Sequence, residues 1–204
     1  MVATFCRRAV LGVIWLLAGV AGLAFILNYE NTAGRTGVTP QFWPGGTGVT
    51  RDVRRDTLLL FAHPQCPCTR ASLEELNRIL AQCRGRAAVH VFFFKPSGFS
   101  DAWVRTDLWR TASALPGVQV QEDADGALAK KFGAETSGFV ALYNPQGQLL
   151  FRGGITGGRG HIGDNVGERS LVACLTGREY ASVRTPVYGC ALSDKVCSAA
   201  GATP

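Results

Sequence analysis

The chain has 204 residues, is 47% hydrophobic and carries a formal net charge of +6 at pH 7, enough for one ordinary domain with a real core plus additional segments. Arg7 and Arg8 contribute two of the positive charges, and beyond them the excess of +4 is scattered, with no basic stretch interleaved with aromatics. That pattern excludes a nucleic-acid footprint and reads as solvated surface beside an anionic membrane. No internal repeat or low-complexity block interrupts the chain.

Ala9 to Leu27 is an uncharged apolar run of 19 residues, long enough as a helix to cross a bilayer. The arginines ahead of it keep residues 1–8 in the cytoplasm, make residues 9–28 a transmembrane anchor and send the rest outward. A cleaved signal peptide would show a shorter run and a small-x-small site; here Phe25, Ile26 and Leu27 lead directly into Asn28-Tyr29-Glu30, which favours an uncleaved anchor. No lipobox-like cysteine follows, and Arg7-Arg8 lacks the flanking residues of a twin-arginine signal. The expected arrangement is therefore a single-pass anchor with the C-terminal domain outside the cytoplasm. Disulfides persist there, so the cysteines beyond the span acquire redox meaning.

Residues 29–56, rich in Gly, Thr, Pro and Arg, read as a linker in which Phe42-Trp43-Pro44 is placed to dock on the domain. Thr57 to Phe61 has the length of a buried strand. After it comes Phe61-Ala62-His63-Pro64-Gln65-Cys66-Pro67-Cys68-Thr69-Arg70, two thiols one residue apart where a strand pattern gives way to a helical one. Pro67 suits the first helical position, which puts Cys66 at the N-cap and Cys68 in the first turn. Helix N-termini favour negative charge and so lower a thiol pKa. An imidazolium at His63 would stabilise a Cys66 thiolate further.

Leu73, Leu76, Ile79, Leu80 and Cys83 recur at helical spacing with polar residues between them, an amphipathic helix for one sheet face. Ala87 to Phe94 is a second strand, with His90 inside it as a structural histidine. Asp101 to Ala114 reads as a helix, Val118 to Gln121 as a short strand and Asp123 to Phe132 as a short helix. Phe139 to Tyr143, the turn Asn144-Pro145-Gln146-Gly147 and Gln148 to Phe151 form an antiparallel hairpin. Asp164 or Asn165 caps a last helix through Cys174, which Gly177 stops. Residues 179–204 form a cysteine-containing tail. Alternating elements of this kind predict an α/β domain, a central mixed sheet flanked by helices.

This order, with paired cysteines at the mouth of the first domain helix, resembles the thioredoxin fold over residues 50–178, with the domain itself at 57–178. The stretch from Val118 through Gly154, with Asp123-Ala124-Asp125-Gly126, Ala129, Phe132-Gly133, Val140-Ala141-Leu142-Tyr143 and Gln146-Gly147, is similar to membrane-tethered TlpA/ResA-type proteins. Cys66-Pro67-Cys68, Thr136-Ser137-Gly138 and Gly153-Gly154-Ile155-Thr156 resemble the RedB-like group. The resemblance implies a single-pass protein of the bacterial inner membrane whose C-terminal domain, in the periplasm, is a thiol-disulfide oxidoreductase that acts on protein thiols or disulfides without a cofactor. Pro67, Ser137 and Gly138 would then face the substrate. The chain departs from that pattern in three places: Thr69 stands where Cys-x-x-Cys has its second cysteine, Gly138 where a cis-proline is usual, and Leu60 where some members have an acidic residue.

Three functions are open to this site. In exchange, Cys66 attacks, Cys68 resolves, and the small Cys-x-Cys ring makes an easily reduced bond. In metal binding, Cys66 and Cys68 are soft ligands for copper, with His63 or the distant His161 of Gly157-Gly158-Arg159-Gly160-His161 as a third, as in the SCO-like proteins that share the fold. The third function is a non-catalytic binding module. Exchange is preferred, with no metal favoured. Cys83 and Cys174 fall on apolar helix positions and read as core. Cys190 and Cys197 are expected to form a structural disulfide in the tail, the alternative being that one of them exchanges with the Cys66/Cys68 pair.

Overall fold

A computed structural model describes residues 2–178 and 182–192. The chain divides into two units, the second beginning at Ala33. The first is helix α1 (Val2–Asn31). Its segment Val10–Asn31, 22 residues with mean hydropathy 2.6, is long and apolar enough to cross a membrane. Large apolar side chains from Val10 to Leu27 are exposed along it.

The second unit runs β1 (Asp56–Ala62), α2 (Pro67–Gln82), β2 (Ala87–Lys95), α3 (Asp101–Val104), α4 (Asp107–Ser113), β3 (Val118–Ala124), α5 (Ala127–Phe132), β4 (Phe139–Tyr143), β5 (Leu149–Gly153) and α6 (Val166–Thr176). The strands form one sheet in the order β3-β2-β1-β4-β5. β1 and β3 flank β2 in parallel, and β4 is antiparallel to both β1 and β5. Central β1 is buried along nearly its whole length, which is why its sequence is continuously apolar rather than alternating.

Alternate residues of β1 feed two cores. Leu58, Leu60 and Ala62 pack with Leu73, Leu76 and Ile79 of α2 and with Leu171 and Leu175 of α6. Leu59 and Phe61 pack on the other face with Ala129 and Phe132 of α5, and with Val187 and Leu192 from beyond α6. Full burial of each such side chain contributes about 1.5–3 kcal/mol. Cys83 belongs to the first core and Cys174 packs against it, as expected, and burial pushes both thiols above their ordinary range. His90 is buried and stacked parallel on Phe92 at 6.0 Å, the structural role expected of it.

Local differences from the sequence reading have local causes. The helix expected over Asp101 to Ala114 is two helices, broken at Arg105-Thr106, where Thr106 is extended and its Oγ1 donates to Pro64 O at 2.9 Å. The strand expected to stop at Gln121 runs to Ala124, so α5 starts at Ala127 instead of Asp123. The Asp123 carboxylate then accepts the N–H groups of Leu128 and Ala129 at 2.8 and 2.9 Å, capping α5 from the end of a strand.

Residues 33–45, read from sequence as part of a linker, lie along the domain. Gly37 N–H donates to Gly133 O at 2.9 Å, Trp43 N–H to Gly147 O at 2.7 Å and Tyr143 Oη to Pro40 O at 2.9 Å. The Trp43 ring meets Phe132 and Tyr143 edge-on, with centroids 5.2 and 5.3 Å away.

Candidate active site

The chain leaves β1 through His63-Pro64-Gln65 and enters α2 at Cys66. Cys66 is an extended N-cap with Pro67 in the first turn, and Thr69 N–H donates to Cys66 O at 3.0 Å. This is the placement the Pro-Cys spacing predicted. Cys66 is fully buried, Pro67 exposed, and Cys68 partly buried.

The Cys66 sulfur is the focus of several donors. Cys190 N–H reaches it at 3.4 Å, and the thiols of Cys190 and Cys68 hydrogen-bond to it, with the Cys68 N–H adding to them. Donation from Cys190 and then Cys68 outweighs the cost of burial and holds the Cys66 thiol far below the ordinary range, as a thiolate. The same bonds push Cys190 and Cys68 the other way, because each is a donor only while protonated. Arg159 partly opposes those upward shifts through its charge. The helix terminus expected from sequence contributes, but the larger effect comes from a neighbouring thiol 124 residues away in the chain.

Behind the sulfur lies a buried hydroxyl network. Ser137 Oγ accepts His63 N–H at 2.8 Å and pairs with Thr69 Oγ1 at 2.8 Å, while Thr69 Oγ1 also reaches His63 O at 3.1 Å. Thr69, at the position of the second cysteine in Cys-x-x-Cys, is thus a connector between β1, α2 and the loop before β4. Gly138, in that loop, donates its N–H to Phe61 O at 2.8 Å with φ of +89°. A Cβ there would lie 2.7 Å from Ser72 Oγ, so only glycine suits the position.

His63 is buried, stacked on Phe94 and edge-on to Trp103, with Nδ1 accepting Gln65 N–H at 3.2 Å. Burial lowers its pKa and the Cys66 charge only partly restores it. This corrects the expectation of an imidazolium: the ring favours its neutral form, because desolvation penalises the cation. His161 is exposed. Its glycine-rich loop approaches the thiols through Arg159 and the Gly160 N–H instead. Among the described residues no group of three or more His, Cys, Asp or Glu side chains is arranged to hold a metal ion.

Cys190 is a free thiol beside Cys66. Cys197, its expected partner, lies outside the described residues. Residues 188–191 run against the loop face that Ser137 and Gly138 were expected to present to substrate: Ser137 N–H donates to Cys190 O at 2.8 Å. Sequence reasoning did not place Thr69 or Arg159 in the site, and it offered Cys190 there only as an alternative to a structural disulfide with Cys197. A Thr or Arg has no spacing signature here, and the position of Cys190 depends on how the tail returns.

No protein-family model and no curated protein matches the chain. Solved structures do. A hypothetical protein of Sinorhizobium meliloti is 20% identical, with TM-score 0.55 over 79% of this chain and 94% of that one. An uncharacterised conserved protein of Geobacillus kaustophilus is 17% identical, with TM-score 0.55 over 81% and 93%. A thioredoxin-like protein in its oxidised form is 19% identical, with TM-score 0.47 over 74% and 97%. In the present chain a thiol-bearing helix joins two parallel strands, and an antiparallel hairpin and a closing helix complete the sheet. The fold is thioredoxin-like. Within this thioredoxin-like domain the paired cysteines sit where β1 hands over to α2, at the edge of both cores.

Proposed function

We propose that the protein is a membrane-tethered thiol-disulfide oxidoreductase of the periplasm, with Cys66 as the exchanging sulfur and Cys68 as its neighbouring thiol. The observation that carries this reading is the position of the Cys66 sulfur, at the N-cap of α2 with Cys190 N–H donating to it at 3.4 Å, an environment that favours the thiolate as nucleophile and leaving group. Thiolate character sets the rate of exchange from both sides of the bond. The likeness to TlpA/ResA-type proteins and the apolar helix α1 support the tether and the compartment, with protein thiols or disulfides as partners.

The test uses the full chain in detergent. Free thiols are counted before and after incubation with an oxidised protein substrate, and again after incubation of the oxidised chain with a reduced one. The expected result is loss and recovery of two thiols per chain, abolished in Cys66→Ser. Equal exchange by Cys66→Ser and wild type would overturn the reading. So would an inert wild type that retains stoichiometric copper and loses it on Cys66→Ser.

A further inference from the structure

Residues 183–192 cross the domain as a strap. The strap starts beside β5, where Arg184 pairs with Arg152 and Thr185 Oγ1 donates to Gly154 O at 2.7 Å. Its far end lies on the loop before β4: Ala191 pairs antiparallel with Thr136, and Leu192 N–H donates to Glu135 O at 2.9 Å. Val187 and Leu192, both buried in the second core, fix it on either side of Cys190. Gly189 lets it lie close, since a Cβ there would come within 2.1 Å of Ser137 O. Arg159 Nη1 holds Gly189 O at 2.6 Å. This arrangement covers Cys66, which has 0% exposure, and leaves Cys190 partly exposed.

We propose that Cys190 is a redox-active cysteine of this site, that its disulfide partner is Cys66, and that the Cys66–Cys190 bond oxidises external protein dithiols. The inference rests on the exchange reading above. A disulfide needs two backbones held close together, and the strap, bonded on both sides of Cys190, brings the Cys190 N–H to 3.4 Å from the Cys66 sulfur. Cys68, tied to Cys66 across Pro67, would close a very small ring.

The steps balance as follows. One thiolate of a substrate dithiol attacks Sγ of Cys190, the more exposed residue of the pair, and the S–S bond breaks to release Cys66 as a thiolate. The second substrate thiol gives up its proton and attacks its own mixed disulfide. Cys190 leaves and takes up a proton. Two electrons have passed from the dithiol to the pair, giving a substrate disulfide, a Cys66 thiolate and a Cys190 thiol. A more oxidising disulfide restores the bond by the reverse exchange. The direction follows from the leaving group, since a thiol of low pKa leaves faster. A reduced state stabilised by donors on its thiolate also makes the oxidised state the stronger oxidant.

The test again uses the full chain in detergent, oxidised with oxidised glutathione, quenched in acid, alkylated and mapped by mass spectrometry. A Cys66–Cys190 cross-link is expected in wild type and in Cys68→Ser. Oxidation of a reduced dithiol peptide should fall by about tenfold or more in Cys190→Ser, the loss expected when an intramolecular partner is removed. Gly189→Ala, checked for cooperative unfolding, should displace the strap and slow formation of the cross-link. A Cys66–Cys68 or Cys190–Cys197 bridge as the sole product, with full turnover by Cys190→Ser, would overturn the assignment while leaving exchange at Cys66 intact. Exchange that is indifferent to Cys66→Ser would remove the underlying reading instead.

Discussion

At Cys66 several donors converge on one sulfur that has no contact with water. The thiolate is held low in the folded state, whereas an unfolded cysteine titrates near about 8.5. Its contribution to stability is therefore present above the unfolded value and is lost as pH falls toward the folded one. Cys68 and Cys190 shift upward, so their contribution is present below the unfolded range and is lost as pH rises beyond it. Between pH 5 and 8 only the first effect operates. The stability advantage of the reduced wild type over Cys66→Ser, from urea unfolding, is expected to grow by up to about 1.4 kcal/mol per pH unit; a pH-independent difference would contradict a thiolate.

The hydroxyl behind the thiols offers a second measurement. Ser137→Ala leaves the His63 N–H without its acceptor in a buried setting, at an expected cost of about 1–3 kcal/mol. An unchanged urea midpoint would show that the network does not bind β1 to the loop before β4.

At the scale of elements, the strands and the long helices follow from periodicity, and the sequence placed Cys66 at the N-cap of α2 because Pro67 leaves few other options. The break between α3 and α4 was not legible, because nothing in Val104-Arg105-Thr106-Asp107 is a strong helix breaker. Tertiary bonding of Thr106 to Pro64 O decides it. The same holds for Asp123, a residue with helix-cap chemistry that the structure uses from the end of β3. Of the two candidates for the α6 cap, Asn165 takes the position. Its Oδ1 accepts Glu168 N–H at 2.9 Å, and its Nδ2 donates to Ile155 O at 3.0 Å and Gly163 O at 2.9 Å. Asn165→Ala removes a cap and a loop anchor together, and an expected loss of about 1–2 kcal/mol should appear in thermal unfolding. An effect within error would mean that α6 is held by its packing on α2 and the sheet alone.

For the whole molecule, the boundary at Ala33 and the packing of residues 33–45 make a distinct prediction. A chain starting at Ala33 should unfold cooperatively in water. One starting at Gly46 loses Trp43 against Phe132 and Tyr143, together with the Tyr143 Oη bond to Pro40, and should be less stable by about 2–4 kcal/mol. Equal melting temperatures would show that this segment is a passive tether. Phe42-Trp43-Pro44 marked the docking point in the sequence, but the extent of the contact was not legible, because the Gly- and Pro-rich residues around it read the same whether they float or lie in a groove.

The loop at 133–137 is held from both flanks. Thr136 Oγ1 donates to Arg35 O at 2.7 Å while Thr136 pairs with Ala191, and Gly34 N–H donates to Val187 O at 2.7 Å, joining the two flanking segments to each other. Synthesis delivers these pieces at different times, Arg35 well before Ala191. During translation, Cys66 and Cys68 emerge long before the segment that covers Cys66. A nascent chain carries two uncovered thiols through that interval, and the paired-thiol site is complete only after residues 183–192 have folded back across the domain.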